Sequence, residues 1–475
     1  MILKQIFEPK LAQYSYLLGC AKTGKALIID PQRDIRRYID IAENNNLRII
    51  AATETHIHAD YLSGLREFAE SGVKVFVSDE GGADWKYEWL SGSDYDYSLL
   101  KDGDKITIGE IVVDVLHTPG HTPEHIIFAI PAEENVADTP GGVLTGDFVF
   151  VGDVGRPDLL ETAAGVVGSM EVGAEQMFNS LKRFKVFPES WQVWPGHGAG
   201  SACGKALGAA PTSTVKDELK GNAALLVSDD LQRFTDYILS DQPEPPMYFA
   251  RMKRDNRKGP RVLGALPQPQ NMSMTALSEA LRKSNHVLLD TRSWAEFRKG
   301  HIKGALFTPF DNSFNTIAGC YVTEADSMVL LIEESDLDDA VVDLIRIGLD
   351  NIVGFVTPQQ LAESDIPLAP TQEIAIAEYE AMRQDSETFS LDVRRAGELR
   401  DVGRIPETYN IAHTRLLDRI HELPKDKTLL VNCRSGVRST YACAALERHG
   451  FEAINVVGGY LAWLERVSTG KTTAT

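Results

Sequence analysis

Thr55-His56-Ile57-His58-Ala59-Asp60-Tyr61 places two imidazoles and a carboxylate at alternate positions of one short stretch. Imidazole and carboxylate groups at such spacing form a metal-binding pattern. Three polar side chains converge only when something cationic holds them, so His56, His58 and Asp60 are expected to meet at an ion. Further candidates follow in order. Leu116-His117-Thr118-Pro119-Gly120-His121-Thr122, Leu144-Thr145-Gly146-Asp147 and Trp194-Pro195-Gly196-His197-Gly198 each close an apolar run. A second chemistry lies far downstream, in Cys433-Arg434-Ser435-Gly436-Val437-Arg438-Ser439, just ahead of a helical stretch, Thr440 to Arg448. Backbone N–H groups at a helix start and two arginines favour a thiolate, the nucleophile of sulfur exchange. Cys433, Arg434 and Arg438 are the candidate catalytic residues of that loop.

Strands must deliver these residues. Leu47 to Ala51 reads as a buried strand before the first histidines, and Leu62 to Glu70 has helical apolar spacing after them. Open α/β sheets bind ligands at the carboxyl ends of their strands, which is where such a turn would lie. Strands are also expected at Ala26 to Asp30, Lys74 to Ser78, His125 to Ile130 and Trp191 to Trp194, with a hairpin over Lys105 to Leu116 turning at Gly109-Glu110. Helices are expected at Ile35 to Glu43 and Val215 to Val227, and Ala132 to Gly142 reads as an exposed loop. The Pro-rich and basic stretch 241–270 reads as a linker, part of which can pack on the first domain. Beyond it the chain repeats with an offset of about 102 residues. Val287-Leu288-Leu289-Asp290-Thr291-Arg292 is echoed by Phe389-Ser390-Leu391-Asp392-Val393-Arg394, and Gly300-His301-Ile302 by Gly403-Arg404-Ile405. In the first copy the strand Ser327 to Ile332 runs into Glu333-Glu334-Ser335, with no cysteine where the second copy has Cys433.

The chain has 475 residues, enough for two to four domains, and its 43% hydrophobic and 24% charged content is that of a globular protein. Lys+Arg 48 against Asp+Glu 68 leaves a net charge of −20, which argues against nucleic acid and anionic membranes as partners. The amino-terminal stretch carries neither a signal-peptide pattern nor a membrane span. Five cysteines (Cys20, Cys203, Cys320, Cys433 and Cys443) lack CxxC spacing, so no disulfide framework or structural zinc is expected and a cytoplasmic protein is.

The ordered set HxHxD, lone His, lone Asp and final His resembles the metallo-β-lactamase fold family over about half the chain. The resemblance implies an αββα sandwich. It departs from the two-metal hydrolases, which read HxHxDH, because Tyr61 stands at the last position. Tyrosine is a poor zinc ligand at neutral pH, so a mononuclear centre is expected. Two histidines and one carboxylate form the facial triad of non-haem Fe(II) oxygenases. The sequence is similar to the persulfide dioxygenase branch. That resemblance implies one Fe(II) per chain (zinc as the alternative) on His56, His121 and Asp147. It sets His58, Asp60, Tyr61, His197, Arg156 and Asp158 behind these ligands or facing substrate; Arg156 and Asp158 belong to a GRxD segment expected to form a fixed bend. His117 and His125 are expected to be structural, and Asp153 fits a surface loop as well as a role in the bend. The repeats resemble rhodanese domains, and CRSGVRS resembles the rhodanese loop whose cysteine carries a persulfide sulfur.

The expected architecture is α/β: a metallo-β-lactamase-fold domain over 1–250, a degenerate rhodanese-like domain over 271–365 and an active rhodanese domain over 371–475. The resemblance implies a persulfide dioxygenase fused to a sulfurtransferase, in sulfide detoxification. A small thiol persulfide and O₂ would yield sulfite, and Cys433 would interconvert sulfite, persulfide and thiosulfate. The carrier thiol (glutathione, coenzyme A or another) and association into a homo-oligomer stay open. The alternative is a zinc-dependent, glyoxalase II-like thioester hydrolase with rhodanese domains as passengers.

Overall fold

The computed structural model describes residues 1–131, 141–162 and 168–469. Most of the loop expected at Ala132 to Gly142 lies outside these. Contacts divide the chain into one unit of Met1–Leu266 with Ile345–Gly348, and a second of Pro267–Leu344 and Leu349 onward.

In the first unit, two six-stranded sheets face each other. One runs Ile2–Glu8, Gln13–Cys20, Lys25–Ile29, Arg48–Thr53, Lys74–Ser78 and Tyr97–Leu100 in spatial order. The other runs Ser213–Thr214, Gln192–Pro195, Gly142–Gly146, Ile126–Ile130, Ile111–His117 and Lys105–Ile108. Tyr16, Leu18, Leu27, Val113, Val115, Phe128 and Leu144 fill the space between them. Both sheets are also covered outside: Tyr38 and Phe68 pack on the first, and Met177, Leu181 and Phe234 on the second. A sheet buried on both faces reads as a continuous apolar run, which is why Ile126–Ile130 shows no alternation. This is the αββα sandwich.

Two expected elements differ. Val215 to Val227 is two helices, Val215–Gly221 and Ala223–Val227, because the Asn222 side chain accepts hydrogen bonds from the N–H groups of Ala224 and Leu225 and so caps a new start. The stretch read as linker contains an 11-residue helix, Tyr248–Lys258, that belongs with the first unit and buries Tyr248, Phe249, Met252 and Asn256.

The second unit contains two parallel sheets of one design. Leu306–Phe307, His286–Asp290, Ser327–Leu331 and Ile352–Val356 lie in that order in the first. Tyr409–Asn410, Thr388–Asp392, Thr428–Asn432 and Ala453–Val456 repeat it, with Glu373–Ile374 added at the edge. In both copies the Asp-x-Arg turn is an ion pair reaching a glycine carbonyl. Arg292 binds Asp290 and the carbonyl of Gly300, and Arg394 binds Asp392 and that of Gly403. The first copy's central strand runs into Glu333 and the short helix Glu334–Asp336, not into a cysteine loop. No helix of the described residues is long and apolar enough to cross a membrane.

Candidate metal centre and sulfur-transfer loop

Strand ends bring three buried groups together. His56 follows Arg48–Thr53, His121 follows Ile111–His117, and Asp147 follows Gly142–Gly146. Ligand atoms of the three lie within 4.8 Å of one another. His56 Nε2 stands 4.0 Å, and His121 Nε2 3.5 Å, from Asp147 Oδ2. The opposite atom of each residue is already occupied. His56 Nδ1 meets the Thr55 hydroxyl at 2.9 Å, His121 Nδ1 donates to the Arg156 carbonyl at 2.9 Å, and Asp147 Oδ1 accepts from His197 Nδ1 at 2.8 Å. Asp147 Oδ2 is buried without a hydrogen-bond partner. Such an orphan costs free energy unless something cationic meets it. Burial lowers the pKa of His121 to about 4, and burial with neighbouring imidazoles lowers that of His56 well below the ordinary value. Both are therefore neutral imidazoles, the form that ligates metals. Burial would raise the Asp147 carboxyl, but the charge and hydrogen bond of His197, together with the neighbouring imidazoles, outweigh it and hold the group well below the usual range. This donor set fits a cation with two imidazoles and one carboxylate.

The alternation His56, His58, Asp60 does not converge on one point. His58 turns its Nε2 to Asp30 Oδ1 at 3.2 Å. Asp60 turns to His197 Nε2 at 2.8 Å. His197 thus sits between two carboxylates. Burial alone would discharge it, but Asp147 and Asp60 raise its pKa to about 10. Asp60, His197 and Cys203 form a second group of ligand atoms within 4.8 Å of one another. Tyr61 is fully buried; its hydroxyl donates to the Asp30 carbonyl at 3.3 Å and accepts from Gln13 Nε2 at 3.2 Å. Its phenol is spent on the Asp30 carbonyl and the Gln13 amide. Gly196 lets the last histidine's strand close in: a Cβ there would lie 2.6 Å from Asp147 Oδ1.

In the second unit, Cys433 directly follows the strand Thr428–Asn432 and is 1% exposed. Its Sγ accepts from the Gly436 N–H at 3.1 Å. The Ser439 hydroxyl lies 3.6 Å from Sγ but 2.6 Å from Asn455 Oδ1, so its single proton goes to the amide. Gly459 makes the loop's tight packing feasible, because a Cβ there would meet the Cys433 carbonyl oxygen at 2.3 Å. Arg438 is not a free cation beside the thiol. It forms a bidentate pair with Glu398 at 2.5 and 2.8 Å, and Arg434 is exposed. The sulfur is held mainly by backbone N–H geometry. Burial raises the pKa of Cys443, in the following helix, so it stays a thiol.

A model of the metallo-beta-lactamase superfamily matches residues 9–197, and one of the rhodanese-like domain matches 273–356 and 375–466. A solved metallo-beta-lactamase from Staphylococcus aureus subsp. aureus COL is 38% identical, with a TM-score of 0.66, over 76% of this chain and 99% of that one. The chain belongs to the metallo-beta-lactamase superfamily. It continues into two rhodanese-like domains. The mitochondrial persulfide dioxygenase of Bos taurus is 29% identical over 202 residues, 42% of this chain and 68% of that protein. A hydroxyacylglutathione hydrolase of Trichormus variabilis is 29% identical over 184 residues, 39% of this chain and 63% of that protein.

The metallo-beta-lactamase domain uses more polar residues than its motifs announce. Arg156, 1% exposed, pairs with both oxygens of Asp158 at 2.8 and 2.6 Å. It also donates to the carbonyls of Ala202 and Pro243, so the GRxD bend is locked while its own carbonyl orients His121. Asp153 is buried, not part of a surface loop, and accepts from the Ala206 N–H. His125 accepts from the Asp147 N–H at 3.1 Å and meets the Thr118 hydroxyl at 2.9 Å, which leaves neither ring nitrogen for a metal. His117 is spent on the Pro123 carbonyl. Asp30 escaped notice because its partners Thr55 and His58 lie more than twenty residues away. Lys253 escaped because its helix was read as linker, although Tyr248, Phe249 and Met252 carry a helical apolar spacing that could have found it.

Proposed function

We propose that the first domain is a mononuclear Fe(II) persulfide dioxygenase and that Cys433 is the sulfur carrier of the second unit. The observation that carries the first half is the convergence of His56 Nε2, His121 Nε2 and Asp147 Oδ2, each with its opposite atom committed elsewhere. Similarity to persulfide dioxygenases supports the substrate class. Fe(II) on this triad would supply open coordination positions and the redox change that d¹⁰ zinc lacks. The protein's own part is preparation. His197 holds the carboxylate, Arg156 and Thr55 hold the imidazoles, and burial excludes bulk water. In the proposed overall reaction, RSSH, O₂ and H₂O give RSH, sulfite and two protons.

For the second half, Cys433 as a persulfide would pass its outer sulfur to sulfite, giving thiosulfate and the free thiolate. The Gly436 N–H is placed to receive the returning charge on Sγ. The degenerate copy offers no nucleophile at the equivalent position and acts as scaffold.

The rival is a binuclear thioester hydrolase, favoured by the hydroxyacylglutathione hydrolase relatives and by the Asp60, His197 and Cys203 group. Metal content and oxygen uptake decide between them. Protein prepared anaerobically should bind one iron per chain and consume O₂ with a defined persulfide. Two zincs with thioester hydrolysis and no uptake would overturn the dioxygenase reading.

A further inference from the structure

A cavity of about 560 Å³ opens beside the metal cluster. Ile57 and Gly120, the chain neighbours of His56 and His121, form part of its wall, with Trp85, Gln176, Lys253 and Arg257. Lys253 is the unusual member. It projects from the helix Tyr248–Lys258, which Asn256 ties to the metal loop by donating to the carbonyls of His58 and Tyr61 at 2.9 and 2.8 Å. The lysine is thus set on a rigid support. Its Nζ lies 4.4 Å from the centroid of the Trp85 ring. The Glu124 carboxylate acts on its charge without forming a direct ion pair with it. Arg257, by contrast, is spent on Glu88 and the Asp84 carbonyl. Burial lowers the Lys253 pKa to about 8, with Glu124 opposing the fall. Its charge contributes to the depressed pKa values of both His56 and His121. A cation that faces a cavity beside the candidate metal ligands, and whose one opposing carboxylate, Glu124, makes no direct ion pair with it, is arranged for an anionic ligand.

Resting on the persulfide dioxygenase reading, we propose that this cavity holds the non-sulfur end of the substrate, and that Lys253 selects carrier thiols bearing a carboxylate or phosphate. The sulfur end then lies toward His56 and His121, while the Trp85 ring covers the ligand's apolar stem. The anionic group supplies a direct ion-pair partner, which Glu124 does not.

The test uses the full-length chain and variants K253M and K253R. Binding of glutathione (carboxylates), coenzyme A (phosphates) and 2-mercaptoethanol (uncharged) to metal-free protein is measured by calorimetry. O₂ uptake is measured on iron-loaded protein with the three corresponding persulfides, and thermal unfolding of the metal-free protein serves as the folding control. K253M should weaken binding of at least one anionic thiol about 10- to 100-fold, the worth of one charge-assisted hydrogen bond. The same loss should appear in KM rather than kcat for its persulfide. K253R should recover most of it, and the uncharged thiol should bind wild type and K253M alike. Which anionic thiol responds separates carboxylate from phosphate. Equal losses for charged and uncharged thiols, or no loss for either anionic thiol, would overturn the proposal. Wild-type protein without O₂ uptake on any persulfide would overturn the dioxygenase reading instead, and the binding arm would still decide the role of Lys253.

Discussion

Replacing His197 by alanine tests whether that residue orients a ligand or is itself one. The ring bridges Asp147 Oδ1 and Asp60 Oδ2, each at 2.8 Å, and its side chain is 0% exposed. Removing it strands two buried carboxylates. Each lost charge-assisted hydrogen bond is worth about 1.5–3 kcal/mol. Breaking a buried pair costs about 3–5 kcal/mol, because the charge left behind is uncompensated. For a domain of this size each kcal/mol lowers Tm by about 2–4 °C, so metal-free protein should lose on the order of 6–20 °C. Iron affinity should fall about 10- to 100-fold, the usual effect of removing a group that orients a ligating carboxylate. The assays are thermal unfolding of the metal-free protein, chelator competition for Fe(II) under anaerobic conditions, and metal content at saturation. At saturation the variant should still hold one iron per chain. Metal content falling from two ions to one would make His197 a ligand, and unchanged affinity would sink the orientation argument.

Asp147→Ala removes the only carboxylate of the triad, so iron and persulfide-dependent O₂ uptake should both disappear. Thiosulfate:thiol transfer should persist, because Cys433 lies in the other unit; stoichiometric iron in the purified variant would contradict the assignment. Tyr61→Phe removes a hydroxyl whose hydrogen bonds to Asp30 and Gln13 are long, at 3.3 and 3.2 Å, and should cost about 1 kcal/mol in denaturant unfolding. Its O₂ uptake should stay within about twofold of wild type, since a twofold change is well under 1 kcal/mol, and a collapse of turnover would mean that the phenol serves the substrate. Cys433→Ser should abolish sulfur transfer while sparing O₂ uptake, so that sulfite accumulates at the expense of thiosulfate. Mass spectrometry of the wild type after thiosulfate should find one added sulfur on the Cys433 peptide, and its appearance on Cys203 or Cys320 would reassign the carrier.

The residue types of the site were legible in the sequence because metal chemistry restricts them to a few side chains at strand ends. Their pairing was less legible. Alternation along a strand suggested that His56, His58 and Asp60 point one way, yet His58 is taken by Asp30, a residue held at φ 52 at the end of a neighbouring strand. Arg438 read as a cation for the thiolate, and a glutamate 40 residues earlier in the chain binds it. Each such partner is set by tertiary proximity, which no local spacing encodes. The tandem repeat was legible for the opposite reason. Its Asp-x-Arg pairs lie two residues apart and recur intact in both copies. The helix carrying Lys253 was hidden by the Pro and Gly on either side, which outweighed a short apolar stripe.

The polar groups behind the cluster decide which atoms face inward. The Thr55 hydroxyl has one proton, and both oxygens of Asp30 stand 3.2 Å away to accept it. Thr55 must therefore accept from His56, which fixes the proton on Nδ1 and leaves the Nε2 lone pair open. The Arg156 carbonyl can only accept, so His121 is fixed in the same tautomer. His197, charged between two carboxylates, takes one oxygen of Asp147 and leaves the other without a partner. Three independent hydrogen bonds thus leave two lone pairs and one anionic oxygen turned toward a single space. That arrangement costs stability in the metal-free protein, where the orphaned oxygen has nothing to bind. A cation would recover that cost on binding, with no reorganisation of the ligands to oppose it.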